Sequence, residues 1–374
     1  MKTQLVVIQP TSLCNINCRY CYLPYRSVNK RISMETLSQI SQRLFASPFV
    51  TDKLTIVWHA GEPLVLPPSF YEEAFHIVQQ WNTKDVCITH SFQTNGTCIT
   101  QQWCDFFKRH NIQLGVSIDG PQSIHDANRV DWAGKGTFDR VQRGLTLLRE
   151  NQQPFSIIAV VTRDSVDRAD ELWQFFKEIG PTRLGLNPEE VDGANKESSL
   201  QTDEDIAAYR SFFARILELA AQEQKPLLIR ETESLMVSVK LGSLLSRSQS
   251  NVPMTIISFD CEGNISTFSP ELLTMTHATY SDFIFGNVFQ NTLEDILKEP
   301  KFLAVHRQIQ LGVLKCLQSC PYFMFCGGGN PSNKLSENGT FDSTETTTCR
   351  LRVKAATDAT VEHLERKFNI PPQP

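Results

Sequence analysis

Hydrophobic residues in the first half of the chain recur in two alternating textures. Short runs rich in Val, Ile and Leu predict strands at Leu5–Gln9, Leu54–His59, Val86–Thr94, Ile112–Ile118, Phe155–Val161 and Arg183–Asn187. Such runs, bounded by polar or turn residues, are expected of strands buried on both faces. Between them apolar positions fall at helical spacing. Leu37, Ile40 and Leu44 follow Ser33, a plausible N-cap, and Pro48 ends the run. Phe70, Ala74, Ile77, Val78 and Trp81 mark a second helix; Val141, Leu145 and Leu148 mark a later one. Ala169, Trp173, Phe176 and Ile179 mark another, stopped by Gly180-Pro181. This alternation predicts an α/β fold with right-handed crossovers and a parallel sheet, either open and doubly wound or closed, wholly or partly, into a barrel.

From Thr202 the pattern is purely helical, with Ile206, Tyr209, Phe213, Ile216, Leu217 and Ala220 on one face. After about Asn251 it shifts to short strands, Gly-rich turns and cysteines, and Leu351 to Phe368 reads as a charged helix ending before Pro371-Pro372. The expected divisions are 1–195 for the alternating α/β unit, 196–250 for a helical bridge, 251–350 for a cysteine-rich domain, and 351–374 for a C-terminal helix and tail.

Composition narrows the class. A chain of 374 residues, 41% hydrophobic and 21% charged, has the make-up of a soluble protein of about two domains. Lys+Arg 36 against Asp+Glu 41 leaves no basic footprint, which argues against a nucleic-acid partner. Leu5–Ile8 before Gln9-Pro10 is too short for a signal-peptide core, and no run approaches the ~18 apolar residues of a membrane span. A cytoplasmic location with reduced thiols is the expectation. Eleven cysteines, an odd number, then point to metal binding or catalysis rather than disulfides.

Cys14-x3-Cys18-x2-Cys21 directly follows the first predicted strand, on the side of a parallel sheet where functional loops gather. Three thiolates in one loop can converge on a metal centre and leave its fourth position open to a substrate ligand. A zinc loop with a distant fourth ligand is the alternative.

Cys14-x3-Cys18-Arg19-Tyr20-Cys21 resembles the signature of the radical S-adenosylmethionine (SAM) enzymes. The resemblance implies a partial (β/α)6 barrel and a [4Fe–4S] cluster held by Cys14, Cys18 and Cys21. Its fourth iron would chelate SAM, whose reductive cleavage yields a 5′-deoxyadenosyl radical. Tyr20 would lie near the adenine. Ala60-Gly61-Glu62-Pro63 is similar to the family's Gly-Gly-Glu-Pro motif at the SAM amino group, with Ala60 a departure. Gln93 and Asn95 end the third strand; Ser117 and Asp119 end the fourth, where the family contacts SAM. The backbone at Val161, and Asn187, follow the fifth and sixth. Arg129, in His125-Asp126-x-x-Arg129, is suited either to a SAM or peptide carboxylate or to a salt bridge steadying its loop.

Cys316-x3-Cys320-x5-Cys326 and Cys349 resemble ligands of the outer auxiliary [4Fe–4S] cluster in the SPASM extension of radical SAM peptide maturases. The first spacing is x3 where the family usually has x2. For the inner cluster only Cys261 has a counterpart, and Asn330 stands where a cysteine follows Gly-Gly-Gly. One auxiliary cluster is therefore expected, with Cys261 free or loosely involved. A structural zinc is the alternative, and with it a non-enzymatic, zinc-stabilised binding module. Cys326-Gly327-Gly328-Gly329 offers backbone N–H groups to cluster sulfur. Cys87 and Cys104 read as small packing residues, as does Cys98. His59 and His90 each stand where they can line a pocket.

Three stretches resemble the cyclophane-forming maturases of glycine-rich-repeat precursor peptides: Ile8 to Pro24, Val57 to Pro67, and Phe92 to Thr97. Those enzymes join an aromatic ring carbon to the Cβ of the residue two positions later. The resemblance implies a precursor-peptide substrate and an electron donor such as flavodoxin or ferredoxin. A thioether synthase and a sulfatase formylglycine maturase are the alternatives within the class. Restoring the ring's aromaticity requires losing a proton and an electron, and Glu189, Glu190 and Glu271 are the candidate bases.

Overall fold

The computed structural model describes residues 1–224, 227–233, 235 and 248–369. The end of the bridging segment, 236–247, and Pro371-Pro372 lie outside the described residues.

The six expected strands form within a few residues of their predicted bounds: β1 Leu5–Ile8, β2 Lys53–Trp58, β3 Cys87–Thr94, β4 Gln113–Ser117, β5 Ser156–Val161 and β6 Arg183–Pro188. They pair in parallel and in sequence order, and a two-residue β7, Leu228–Ile229, adds to β6. A doubly wound sheet reverses its strand order at a switch point. This one does not, so successive crossovers lie on one face and the other is concave, as in an open barrel. The helices behind it include α1 Met34–Ala46, α2 Pro68–Trp81, α3 Gln101–Arg109, α4 Gln122–Asn128, α5 Phe138–Glu150 and α6 Ala169–Ile179. Ser33 caps α1 by accepting from the Thr36 amide, and Gly180 closes α6 in the left-handed conformation.

The strands are not uniformly buried on both faces: β1, β4 and β6 each bury three consecutive residues, as expected, but others do not. In β2 and β5 alternate residues are buried and partly exposed. Leu54, Ile56 and Trp58 face the helices, where Trp58, Tyr71, Phe92, Trp103 and Phe106 build an aromatic core. The residues between them face the concave side, which carries the polar side chains of the site.

The segment after 251 begins by extending the same sheet. β8, Ile256–Phe259, pairs in parallel with β1, and β9, Asn264–Thr267, pairs antiparallel with β8. Beyond it a 20-residue helix, Pro300–Ser319, leads into short helices at Phe323–Cys326 and Pro331–Asn338. The helical run from Cys349 to Phe368 packs against α7, Asp203–Ala221. Arg210 of α7 pairs with Asp358 and Glu362 of that run.

Candidate active site

The loop after β1 carries Cys14, Cys18 and Cys21, and backbone hydrogen bonds from three segments hold it. The Cys14 amide donates to the Arg26 carbonyl at 2.8 Å, and the Asn17 and Arg19 amides donate to the Val130 and Asn128 carbonyls at 2.7 and 3.0 Å. Arg26 Nη1 donates to the Cys18 carbonyl at 3.0 Å. Burial, the Glu62 carboxylate and the neighbouring cysteines push the Cys14 thiol up to about 12. Burial likewise raises Cys18 to about 11. Crowded, desolvated thiols of this kind ionise only against a cationic centre, so the donor set fits an iron–sulfur cluster.

Glu62 stands beside this loop. Its amide donates to the Leu13 carbonyl at 2.8 Å. Its carboxylate accepts from the Asn95 amide at 2.7 Å, the Thr94 hydroxyl at 2.6 Å and the Leu64 amide at 2.9 Å. Burial still pushes it up to about 7, so a ligand ammonium would find a site short of positive charge. Gly61 has no room for a side chain: a Cβ would lie 2.4 Å from the Thr11 carbonyl oxygen. Both Ala60 and Gly61 are left-handed, at φ 72° and 69°.

Gln93 donates to the Ser117 hydroxyl at 2.9 Å. Asn95 donates to Asn15 at 2.8 Å and lies 3.9 Å from the Cys14 sulfur. Asp119 accepts from Arg129 at 3.0 Å, from the Val160 amide at 2.9 Å and from the Tyr20 hydroxyl. Arg129 thus makes the salt bridge, yet its Nε is buried without a partner and its Nη1 is 4.0 Å from the Cys18 sulfur. The Val161 carbonyl is occupied by the Glu189 amide at 2.9 Å, and the Asn187 side chain by Arg230 at 2.5 Å.

Cys316, Cys320, Cys326 and Cys349 line one cavity of about 450 Å³. Burial pushes the Cys326 thiol up, and the backbone amides of Gly328 and Gly329 act in the opposite direction. Burial and the charges of Cys326 and Cys320 push Cys349 up to about 12. Among the described residues no three His, Cys, Asp or Glu side chains are set to hold a single metal ion. Cys261 does not line this cavity; Asp260, Glu262 and Lys30 surround it. Asn330, at the missing cysteine position, accepts from the Ser269 hydroxyl and the Ser332 amide.

Two smaller expectations need correction. Cys87 sits in a strand but is exposed at its start, whereas Cys104 is buried in the core as expected. Cys98 is half-buried and packs against the core, and its sulfur also accepts from Asn15 at 3.2 Å, beside the cluster loop. His90 is in the aromatic core, stacked on Phe75 at 3.8 Å, whereas His59 meets the Tyr22 hydroxyl at 3.3 Å.

The candidate bases separate. Glu189 accepts from the Ser199 amide at 2.7 Å and braces a loop. Glu190 pairs with Arg352 at 3.4 Å and accepts from Asn333 at 3.1 Å. Glu271 has Oε2 sealed from solvent and without a hydrogen-bond partner, and burial, then the charge of Asp192, holds it above the usual carboxylate range. Asp192 accepts from Ser332 and Ser336 at 2.8 and 3.0 Å and is raised by burial and Glu190. Asp192, Tyr22 and Arg352 do not stand out in the sequence as site residues. Tyr22 is signalled by its place directly after Cys21, and Asp192 by its nearness to Glu189-Glu190; Arg352 has no such signal.

The radical SAM superfamily model matches residues 8–175. An uncharacterized protein of Synechocystis sp. is 40% identical over 372 residues, covering 98% of this chain and 94% of that one. The chain belongs to the radical SAM superfamily. Radical SAM enzymes work with a [4Fe–4S] cluster and SAM. A serine-type anaerobic sulfatase-maturating enzyme of Bacteroides thetaiotaomicron is 25% identical over 365 residues, covering 90% and 84% of the two chains. The fold is that of anSMEcpe with bound AdoMet and Kp18Cys peptide, at TM-score 0.79 and 23% identity over 98% of this chain and 100% of that one. It is also that of Streptococcus suis SuiB bound to precursor peptide SuiA, at TM-score 0.66 and 16% identity over 93% and 76%. No helix among the described residues is long and apolar enough to cross a membrane.

Proposed function

We propose that this radical SAM enzyme modifies a ribosomally made precursor peptide, joining an aromatic ring carbon to the Cβ of the residue two positions later. The observation that carries the reading is Glu271, a carboxylate with an unpartnered, sealed oxygen. It is electrostatically linked to Tyr22 of the cluster loop on one side and to Arg352 of the four-cysteine cavity on the other. Ring closure followed by rearomatisation needs a base and an electron acceptor near each other, and Glu271 lies within electrostatic reach of a residue beside each cysteine set.

In this reading Cys14, Cys18 and Cys21 hold the SAM-binding cluster and Cys316, Cys320, Cys326 and Cys349 an auxiliary one. When bound, cluster and SAM supply a radical able to take hydrogen from an unactivated C–H bond. Glu62 and the Ala60-Gly61 carbonyls orient the SAM amino group, and Arg129 Nε is free for its carboxylate. Tyr20, Gln93, Asn95, Ser117 and Asp119 line the nucleotide side. Val161 and Asn187 already have protein partners and serve the wall of the site. Glu271 accepts the ring proton, its raised pKa matching a base at neutral pH.

The likeness to sulfatase-maturating enzymes favours a second reading, oxidation of a Ser or Cys to formylglycine. Co-expression with a glycine-rich precursor decides between them. A loss of about 2 Da with no backbone fragments inside a three-residue ring supports the crosslink. An aldehyde trapped by a hydrazine reagent supports formylglycine instead.

A further inference from the structure

Lys334 lies in the wall of the four-cysteine cavity, on the helix Pro331–Asn338, with 4% of its surface exposed. Its ammonium donates to the Gly312 carbonyl at 3.1 Å and to the Cys316 sulfur at 3.3 Å. Gly312 makes the seat: a Cβ there would lie 2.1 Å from the Phe341 carbonyl oxygen and 3.2 Å from Lys334 Nζ. The other cations on the cavity wall have carboxylate partners. Lys354 pairs with Glu345, Arg352 with Glu190 at 3.4 Å, and Arg230 with Glu231. Among the described residues no carboxylate pairs with Lys334.

A buried ammonium facing only neutral partners is strongly disfavoured. A four-iron core bound by four thiolates is negatively charged, and more so after taking up an electron. A fixed positive charge against one ligand sulfur therefore favours the reduced form, and the N–H···S bond acts in the same direction. We infer that Lys334 sets the reduction potential of the auxiliary cluster, raising it for the one-electron uptake that converts the oxidised core to the reduced core. In turnover that electron would come from the peptide as its ring rearomatises. The inference rests on the reading of Cys316, Cys320, Cys326 and Cys349 as cluster ligands, and it makes Lys334 a positioning residue for charge, not a catalytic one.

The test uses the full chain carrying C14A, C18A and C21A, so that the auxiliary cluster is the remaining redox group. Iron and sulfide are measured first, then the reduced fraction is followed by EPR during a potentiometric titration. At a fixed potential, K334M and K334Q should each lower the reduced-to-oxidised ratio at least tenfold, a fall of about 59 mV for a one-electron couple. K334R, which keeps the charge, should stay within threefold of the unsubstituted lysine. If one neutral variant fails to assemble the cluster, the other is read. Unchanged ratios in cluster-loaded K334M or K334Q would overturn the inference and leave the ligand assignment standing. Loss of the cluster from both neutral variants with retention in K334R would also overturn it, because a tuning charge is dispensable for assembly. No iron or sulfide in the Lys334 parent would instead overturn the ligand assignment itself.

Discussion

Asp119 and Arg129 form a buried ion pair at 3.0 Å, and the same carboxylate also holds the Val160 amide and the Tyr20 hydroxyl. One side chain thereby ties the end of β4 to β5, to the loop after α4 and to the cluster loop. Removing it leaves Arg129 as an uncompensated buried charge, a loss of about 3–5 kcal/mol. D119A should therefore unfold at much lower urea than wild type, with D119N between them. A D119A midpoint equal to wild type would contradict this account of the loop.

Glu62 makes the stability of the ligand-free protein depend on pH. Its carboxyl is raised from 4.5 in the unfolded chain to about 7, so the folded state holds the proton more tightly. Its contribution is largest below 4.5 and is lost as pH rises through 7, by up to about 3 kcal/mol. Relative to E62Q, wild type should lose stability between pH 5 and pH 8, read from urea midpoints. Added SAM should restore more stability at pH 8 to wild type than to E62Q. A pH-independent difference between the two proteins would rule this out.

Ala60 and Gly61 should respond in opposite directions. Ala60 occupies a left-handed conformation that costs an L residue about 1–2 kcal/mol, partly offset by glycine's greater freedom when unfolded. A60G should stabilise by up to about 1 kcal/mol. G61A drives a methyl into the Thr11 and Leu13 carbonyls and should destabilise by about 2 kcal/mol or more. Reconstituted iron should fall in G61A and hold in A60G. Equal stabilities for the two variants would show that this turn does not set the loop.

Glu271 is tested by uncoupling. E271Q removes the base but not the SAM site, so crosslinked product should fall about 10²-fold or more while 5′-deoxyadenosine still forms. E189Q should change neither by more than about threefold, because Glu189 braces Ser199. Full crosslinking by E271Q would move the base elsewhere.

Much of the fold was legible because β1 to β6 are separated by amphipathic helices with clear stops at Pro48 and Gly180. The half-open concave face was not, because Thr55, Val57 and Ser91 carry no sign of which side they face until the strand order is known. The cysteine sets were legible from spacing. Lys334 and Arg352 were not: each looks like an ordinary charge on a polar helix, and only the packing of Gly312 and Glu190 around them reveals burial or pairing. The same holds for Asp192, whose partners Ser332 and Ser336 lie far along the chain.

The proposed reaction is tested most directly by isotope transfer. A precursor deuterated at the Cβ two positions after an aromatic residue is incubated with reconstituted enzyme, SAM and reductant. The account predicts singly deuterated 5′-deoxyadenosine together with a peptide that has lost that deuterium and one ring hydrogen. Unlabelled 5′-deoxyadenosine accompanying a crosslinked peptide would contradict it.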